Sequence, residues 1–422
     1  MENKRSKTAF IHVITIVLFL LPAVVLSQTG QGWQAPRDVV EKLTKSQPQY
    51  NYYEEKVPAY SLPGLLVTLG GRKADNADAW TGTRRPEILE LFRENVYGRV
   101  PETPYEKSIR VVNENTNAMG GAATLKEVDI VISSEGKSLT IRLNLFVPNN
   151  AGKKVPAFLV INNRGIDQAD PSRKIKNEFW PAEEIVSRGY AAAVFQNSDV
   201  DPDNFDDFKN GIHGLLDRGE RKGDSWGTIA AWAWGASRCM DYLVTDSDID
   251  AGKVAVLGHS RGGKTALWAA AEDQRFAMAV SNESGCGGAA LARRKFGETI
   301  ETINRAFPHW FCRNYTQWGN NEDSMPVDMH MLLALIAPRA VYVTSASEDL
   351  WADPRGSYLS LYNSLPAFRL FDRNTTLSGQ MPPLNNPVSS GNTGYHVRDG
   401  VHNLLVKDWN WIMDMADKVF KH

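Results

Sequence analysis

Cysteine is scarce in this chain of 422 residues, which contains three: Cys239, Cys286 and Cys312. An odd count excludes the disulfide framework that holds many small secreted domains together. Either a single Cys286–Cys312 bridge forms or all three cysteines are buried thiols, and we favour the thiols. The sequence also lacks a C-x-x-C pair and an H-E-x-x-H helix, so we expect no structural or catalytic metal.

Charge of one sign is equally lacking. The chain has 47 Lys and Arg against 49 Asp and Glu, for a net charge of −2, and no strongly basic block follows the first eight residues. Binding to nucleic acid depends on neutralising phosphates with clustered cations. We therefore expect no nucleic-acid partner.

One long hydrophobic run is present, at residues 9–26, directly after Lys4, Arg5 and Lys7. A basic start, an apolar run and small residues before the cut are typical of a cleaved export signal, which we place at residues 1–27. An uncleaved membrane anchor is the alternative. Because Pro22 breaks the run and no cationic stop follows, we expect cleavage, a secreted or periplasmic protein and no stable membrane association.

The remaining chain reads as an N-terminal arm, residues 28–60, and one α/β domain, residues 61–422. Residues 108–113, 124–132 and 138–147 have a strand-like alternation, and residues 85–97 have a helical one. Apolar strands then alternate with helices, which favours a mostly parallel sheet covered on both faces in a three-layer αβα sandwich. These predicted strands are 155–162, 190–195, 253–258, 276–281 and 339–344, and the helices are 226–245, 261–272 and 403–420.

Residues Gly258 to Gly262, GHSRG, match the motif G-x-S-x-G. The motif follows a predicted strand and opens a predicted helix, which is the context of the nucleophile turn in α/β-hydrolases. We therefore predict an α/β-hydrolase fold with Ser260 as nucleophile. The backbone N–H of Arg261 would then face a developing oxyanion. The alternative is a structural strand–turn–helix with an incidental serine.

A serine nucleophile needs a base, and in this fold the histidine comes last in the chain. His402 lies in a loop before the last predicted helix and is the best candidate, with His396 as runner-up. The orienting acid is left open between Glu283 and Asp349, each of which follows a predicted strand. Position in the general fold favours Asp349.

Several segments resemble the glucuronoyl esterases, carbohydrate esterase family 15, and the resemblance covers roughly residues 58–420. The motif G-x-S-R-x-G-K is more specific than G-x-S-x-G. His259 and Asn403 stand where fungal members have a pair of bonded cysteines, which is typical of the bacterial branch. The resembling segments are LGHSRGGK at 257–264, NESGCGG at 282–288, DLWADP at 349–354 and RDGVHNLLVKDW at 398–409, with weaker likeness at 84–101 and 162–165.

The resemblance implies Ser260 as nucleophile, His402 as base and Glu283 as acid. Asp349 matches the position of a second or alternative acid in some bacterial members. The side chain of Arg261 resembles the arginine with which the family stabilises the oxyanion. We expect a Ser-His-Glu/Asp triad in which Glu283 has the larger share.

The resemblance also implies a sugar-binding side to the site, with Lys264 and Trp351 at sugar-binding positions and Glu298 as a weaker match. Each has a plainer alternative: Lys264 on the surface, Trp351 in the core and Glu298 solvated on a helix. The implied substrate is an ester of 4-O-methyl-glucuronic acid, as in links between glucuronoxylan and lignin. We expect no cofactor and a monomer.

Two other functions compete with this interpretation. A deacetylase of acetylated xylan is the nearer one, and the cationic pair Arg261 and Lys264 disfavours it because an acetyl group needs no sugar-side cation. A non-catalytic carbohydrate-binding relative of the hydrolases is the other. The presence of Ser260, His402 and two candidate acids disfavours that class.

Overall fold

The computed structural model describes residues 32–152 and 154–420. The predicted export signal, residues 1–27, lies outside this part of the chain. The strands are β1 (Glu106–Ala118), β2 (Ala123–Ser134), β3 (Lys137–Pro148), β4 (Val155–Asn162), β5 (Ala191–Gln196), β6 (Ile249–His259), β7 (Met278–Asn282), β8 (Ala340–Ala346), β9 (Val388–Ser390) and β10 (Thr393–Arg398). The α-helices are α1 (Arg37–Ser46), α2 (Ala77–Ala79), α3 (Arg85–Phe92), α4 (Ala182–Ser187), α5 (Gly211–Leu216), α6 (Thr228–Leu243), α7 (Arg261–Glu272), α8 (Ile300–Ala306), α9 (Met329–Ala334), α10 (Pro354–Phe368) and α11 (Val406–Phe420).

The strands form one sheet in the order β1-β2-β3-β5-β4-β6-β7-β8-β10-β9. The first three pair antiparallel, and β3 also pairs antiparallel with β5. From β5 to β10 every pairing is parallel, and β9 closes the edge antiparallel to β10. The mostly parallel sheet is therefore confirmed, and the predicted strands match β1 to β8 within a few residues.

Alternate residues of β4 contact different cores on the two faces of the sheet. Leu159 and Ile161 belong to the core that contains the buried sides of α6 and α7. Phe158 and Val160 belong to the core that contains α11. Burial on both faces is why these strands are apolar throughout. The three-layer αβα sandwich is confirmed.

The difference from the sequence-based expectation is largest in two segments. The helix predicted at 85–97 is α-helical to Phe92, continues as a π-turn over Arg93–Tyr97 and ends at Gly98, whose φ is +87°. The helix α10 and the strands β9 and β10 were not predicted. Three buried serines and an internal proline interrupt the apolar period of α10, which explains why its pattern is weak.

The described part of the arm, residues 32–60, forms α1 and then runs in extended and turn conformations. Val40 and Tyr52 of the arm pack in a small cluster with Phe296 and Leu350. The ring of Tyr50 meets that of Trp351 edge-on at 4.7 Å between centroids. The arm therefore contacts the two segments that carry Glu298 and Trp351.

All three cysteines are buried free thiols, which confirms the favoured alternative. Within residues 32–420, leaving out Lys153, the structure contains no helix long and apolar enough to cross a membrane.

Candidate active site

Ser260 stands at the sharp turn between β6 and α7. Its φ and ψ are +57° and −123°, a conformation that L-residues rarely adopt. Its N–H donates to the carbonyl oxygen of Asn282 at 2.8 Å, which ties the turn to the end of β7. This is the strained strand–turn–helix geometry that exposes a nucleophile above an α/β sheet.

Glycine is required at the start of this turn. A Cβ on Gly258 would lie 2.0 Å from the carbonyl oxygen of Gly262.

The N–H groups of Gly263 and Lys264 donate to the carbonyl oxygen of Ser260 at 2.9 and 3.2 Å. The N–H of Arg261 donates to no backbone carbonyl among the described residues, so it is free to bind an oxyanion beside Ser260.

Both candidate acids reach His402. Its Nδ1 lies 2.7 Å from Oδ2 of Asp349 and 3.1 Å from Oε2 of Glu283. Because Nδ1 is engaged with carboxylates, it carries a proton and Nε2 is the nitrogen left to act as a base. The sequence left the acid open between Glu283 and Asp349, and the structure has both of them at Nδ1 of His402.

The two carboxylates also change the proton affinity of the imidazole. Burial lowers the pKa of His402, but hydrogen bonds and charge from Asp349 and Glu283 outweigh it and raise that pKa to about 9. Burial raises the pKa of Glu283 to about 7, and the nearby Asp349 adds to this against the opposing effects of His402 and Arg398. The site therefore stabilises the imidazolium that forms when a serine gives up its proton.

Arg398, at the end of β10, holds this arrangement together. Its Nη2 donates to Oε1 of Glu283 at 2.7 Å and to the carbonyl oxygens of Val401 and Asn403 at 2.9 and 2.8 Å. The N–H of Asn403 in turn donates to Oε2 of Glu283 at 2.8 Å. The loop is therefore fixed on both sides of His402. The sequence-based assignment gave Arg398 no role.

Arg261 directs its side chain into the same cavity. Its Nη1 donates to Oδ2 of Asp203, and its guanidinium lies 4.9 Å from the ring centre of Trp310 and 5.7 Å from that of Phe307. The sequence-based assignment also missed Asp203, although this residue follows β5 at the carboxyl edge of the sheet. Ligand sites in open α/β sheets collect at that edge, so the position was a usable signal.

The three residues expected on the sugar side lie together. Lys264 is buried, and its Nζ donates to the carbonyl oxygens of Ser284 and Cys286 at 2.5 Å each. Glu298 lies 3.8 Å from this Nζ, and its N–H donates to the carbonyl oxygen of Trp351 at 3.1 Å. The plainer alternatives, which placed Lys264 on the surface and Glu298 solvated on a helix, are therefore both wrong.

Burial shifts the pKa values of this pair toward their neutral forms. The pKa of Lys264 is lowered by burial against the charge of Glu298. The pKa of Glu298 is raised by burial against the charge of Lys264 and a hydrogen bond from the Trp351 side chain. Trp351 is half-buried and lines the same cavity. Together these groups offer a donor, an acceptor and an aromatic face.

One cavity of about 340 Å³ joins these groups. Its walls include every residue of the favoured assignment for catalysis and binding: Ser260, Arg261, Lys264, Glu283, Glu298, Asp349, Trp351 and His402. His396 lies elsewhere, fully buried between Asp408 and Tyr342 at 2.7 and 3.1 Å. The runner-up base is therefore a packed core residue.

A metal could in principle use part of this site, since donor atoms of His259, Glu283 and His402 lie within 4.8 Å of one another. Both oxygens of Glu283 already accept hydrogen bonds, one from the Arg398 guanidinium. The ring of His259 lies tilted against that of His402, with 4.4 Å between centroids, and its Nδ1 bonds the side chain of Asn282. The arrangement fits a hydrogen-bonded catalytic triad better than a cation site.

This arrangement has counterparts in known proteins. The family model for fungal glucuronyl esterases matches residues 130–369. Carbohydrate esterase MZ0003, from an unknown prokaryotic organism, is 40% identical over 93% of this chain and 96% of its own length. The chain belongs to the glucuronoyl esterases, carbohydrate esterase family 15.

Solved structures place this glucuronoyl esterase among bacterial members. The glucuronoyl esterase from Solibacter usitatus is 39% identical, with a TM-score of 0.82 over 87% of this chain and 100% of that chain. A promiscuous esterase of the same family from the marine bacterial metagenome is 40% identical, with a TM-score of 0.80 over 87% of this chain and 99% of that chain. The family resemblance and the α/β-hydrolase fold are confirmed, and the protein is a carboxylic ester hydrolase.

Proposed function

We propose that this enzyme hydrolyses esters of 4-O-methyl-glucuronic acid through an acyl-enzyme on Ser260. The observation that carries the proposal is the single cavity that contains a nucleophile, a base held by two carboxylates, and a lysine, a glutamate and a tryptophan suited to a sugar. Relatives named 4-O-methyl-glucuronoyl methylesterase, such as that of Phanerochaete chrysosporium at 27% identity, support 4-O-methyl-glucuronic acid as the acid part of the substrate ester.

In the first half of the reaction, Oγ of Ser260 attacks the ester carbonyl carbon while Nε2 of His402 accepts the serine proton. Asp349 and Glu283 stabilise the resulting imidazolium through Nδ1. The imidazolium then protonates the leaving alcohol, and the acyl-enzyme remains. In the second half a water molecule attacks, gives its proton to Nε2, and Ser260 recovers its proton as the glucuronic acid leaves.

Arg261 contributes where charge appears. The ester is neutral, but the tetrahedral intermediate and the product acid are anionic. A guanidinium and a backbone N–H beside Ser260 therefore stabilise the transition state more than the bound ester. Lys264, Glu298 and Trp351 would hold the sugar, with hydroxyl groups on the polar pair and the apolar ring face on the indole.

The physiological ester, on this proposal, joins glucuronoxylan to lignin alcohols. The cavity is partly open, and Trp351 is half-buried at its wall.

We also propose that the mature chain begins near Gln28 and acts in the periplasm or outside the cell. N-terminal sequencing of protein from the native host tests this, and retention of residues 1–27 would favour a membrane anchor instead.

Hydrolysis of benzyl glucuronate and of 4-nitrophenyl acetate by the same preparation tests the activity. We expect a higher kcat/KM on the glucuronate ester, and a loss of several orders of magnitude in Ser260→Ala with its fold intact. A higher kcat/KM on the acetate would favour the xylan deacetylase. Binding of glucuronoxylan without turnover of either ester would favour the non-catalytic class.

A further inference from the structure

Asp203 joins three side chains at the edge of the active-site cavity. Its Oδ1 accepts hydrogen bonds from Nε2 of His309 at 3.0 Å and from Nε1 of Trp310 at 2.8 Å. Its Oδ2 accepts from Nη1 of Arg261. The residue lies in the loop that follows β5, so it comes from a different strand than the nucleophile.

Arg261 depends on few contacts for its orientation. Among the described residues, Nη1 bonds to Asp203, and Nε is buried without a hydrogen-bond partner. The guanidinium also lies over the faces of Trp310 and Phe307. Because Trp310 both stacks on Arg261 and donates to Asp203, the carboxylate fixes the cation and the ring beneath it at once.

The carboxyl group of Asp203 is ionised at neutral pH. Burial would raise its pKa, but hydrogen bonds from His309 and Trp310 and the charge of Arg261 lower it to about 2. Asp201, two residues earlier on the same loop, is a useful contrast. Burial raises its pKa to about 8, and its carboxyl accepts a bond from the Thr228 hydroxyl instead of touching Arg261.

We propose that Asp203 is a positioning residue for ester hydrolysis, which holds the Arg261 guanidinium in the orientation that meets the oxyanion. The inference rests on the role proposed above for Arg261. A donor stabilises a transition state best when it needs no reorganisation as charge develops. A long arginine side chain loses conformational entropy when it is held in one rotamer. If a fixed carboxylate holds it there in the folded protein, that entropy is lost during folding and not during the reaction.

The test is a double-mutant cycle on benzyl glucuronate with Asp203→Asn and Arg261→Ala. We expect Asp203→Asn to lower kcat about 10- to 30-fold with KM within about twofold, less than the loss of a whole oxyanion donor. In the Arg261→Ala background, Asp203→Asn should change kcat by less than about twofold. Asp201→Asn is the matched control, because its carboxyl is largely neutral near pH 7, and it should stay within about twofold of wild type.

An equal loss from Asp203→Asn with and without Arg261 would overturn the inference, as would wild-type kcat in Asp203→Asn. If the wild type does not hydrolyse the glucuronate, the proposed function itself fails; if it does but Arg261→Ala is unaffected, the premise about Arg261 fails.

Should Asp203→Asn not fold, Trp310→Phe decides the question. This change removes the indole N–H that Asp203 accepts but keeps a ring under Arg261. We expect a kcat loss of about two- to fivefold that disappears in the Arg261→Ala background. An unchanged kcat, or a loss of the same size in both backgrounds, would overturn the inference.

Discussion

The loops after β7 and β8 each bring a carboxylate to Nδ1 of His402, but they hold it differently. Glu283 has a left-handed φ of +49°, is fully buried as a side chain, and is bonded to Arg398 and to the N–H of Asn403. Among the described residues, His402 is the only group that hydrogen-bonds to the Asp349 carboxylate. Glu283 therefore belongs to the framework of the site, whereas Asp349 serves the imidazole alone.

The Glu283 charge is therefore structural and catalytic at once. Removing Glu283 would free His402 from one acid and also leave Arg398 short of a partner in the interior. Removing Asp349 would affect only the orientation and charge of the imidazole. Activity, stability and pH dependence should therefore separate the two residues.

The largest effect is expected when both acids are removed. Glu283→Ala with Asp349→Ala should lower kcat/KM on benzyl glucuronate by about 10⁴-fold, because nothing then orients His402 or stabilises its cation. Each single change should leave appreciable activity, since the other carboxylate still reaches Nδ1. We expect the order wild type, Asp349→Ala, Glu283→Ala, double variant.

The reverse order would break the comparison. If Asp349→Ala alone abolished activity while Glu283→Ala stayed near wild type, Asp349 would be the acid and Glu283 only part of the framework. Glu283→Gln separates the structural role of Glu283 from its catalytic role, because this change keeps most of the packing and removes the charge.

A smaller effect is expected on stability. Glu283→Ala should lower the free energy of unfolding by about 3 kcal/mol, because it removes one partner of a buried ion pair with Arg398. Asp349→Ala should cost less than about 1 kcal/mol. Denaturant unfolding followed by tryptophan fluorescence measures both, and equal losses would show that the two loops do not differ as described.

The smallest effect is a shift in pH dependence. The carboxylates raise the pKa of His402 by stabilising its charged form. Removing one negative charge destabilises the imidazolium, so Asp349→Asn should move the acidic limb of kcat/KM to lower pH by about one unit. Profiles over pH 5–10 on one benzyl ester measure this. A limb that stays in place or moves to higher pH would contradict the assignment.

Much of the fold and the nucleophile turn could be predicted from local sequence. The motif around Ser260 specifies its own conformation, because Gly258 is required by the close approach of Gly262. The strands from β4 to β8 are marked by continuous apolar runs that only burial on both faces explains. The segment from α10 to β10 was not predictable in this way, because its serines and prolines interrupt every regular period.

Local sequence was enough to predict the class of fold and the serine with its turn, since each depends on neighbours in the chain, and the family resemblance supplied the residues that could surround that serine. The tertiary structure was needed to show that both acids share Nδ1 of His402, and that Arg398 and Asp203 bond to Glu283 and Arg261. Those contacts join residues more than 50 positions apart, such as Glu283 with Arg398 and Asp203 with Arg261. Pairings at such separation depend on how strands and loops come together in space, and no local pattern encodes them.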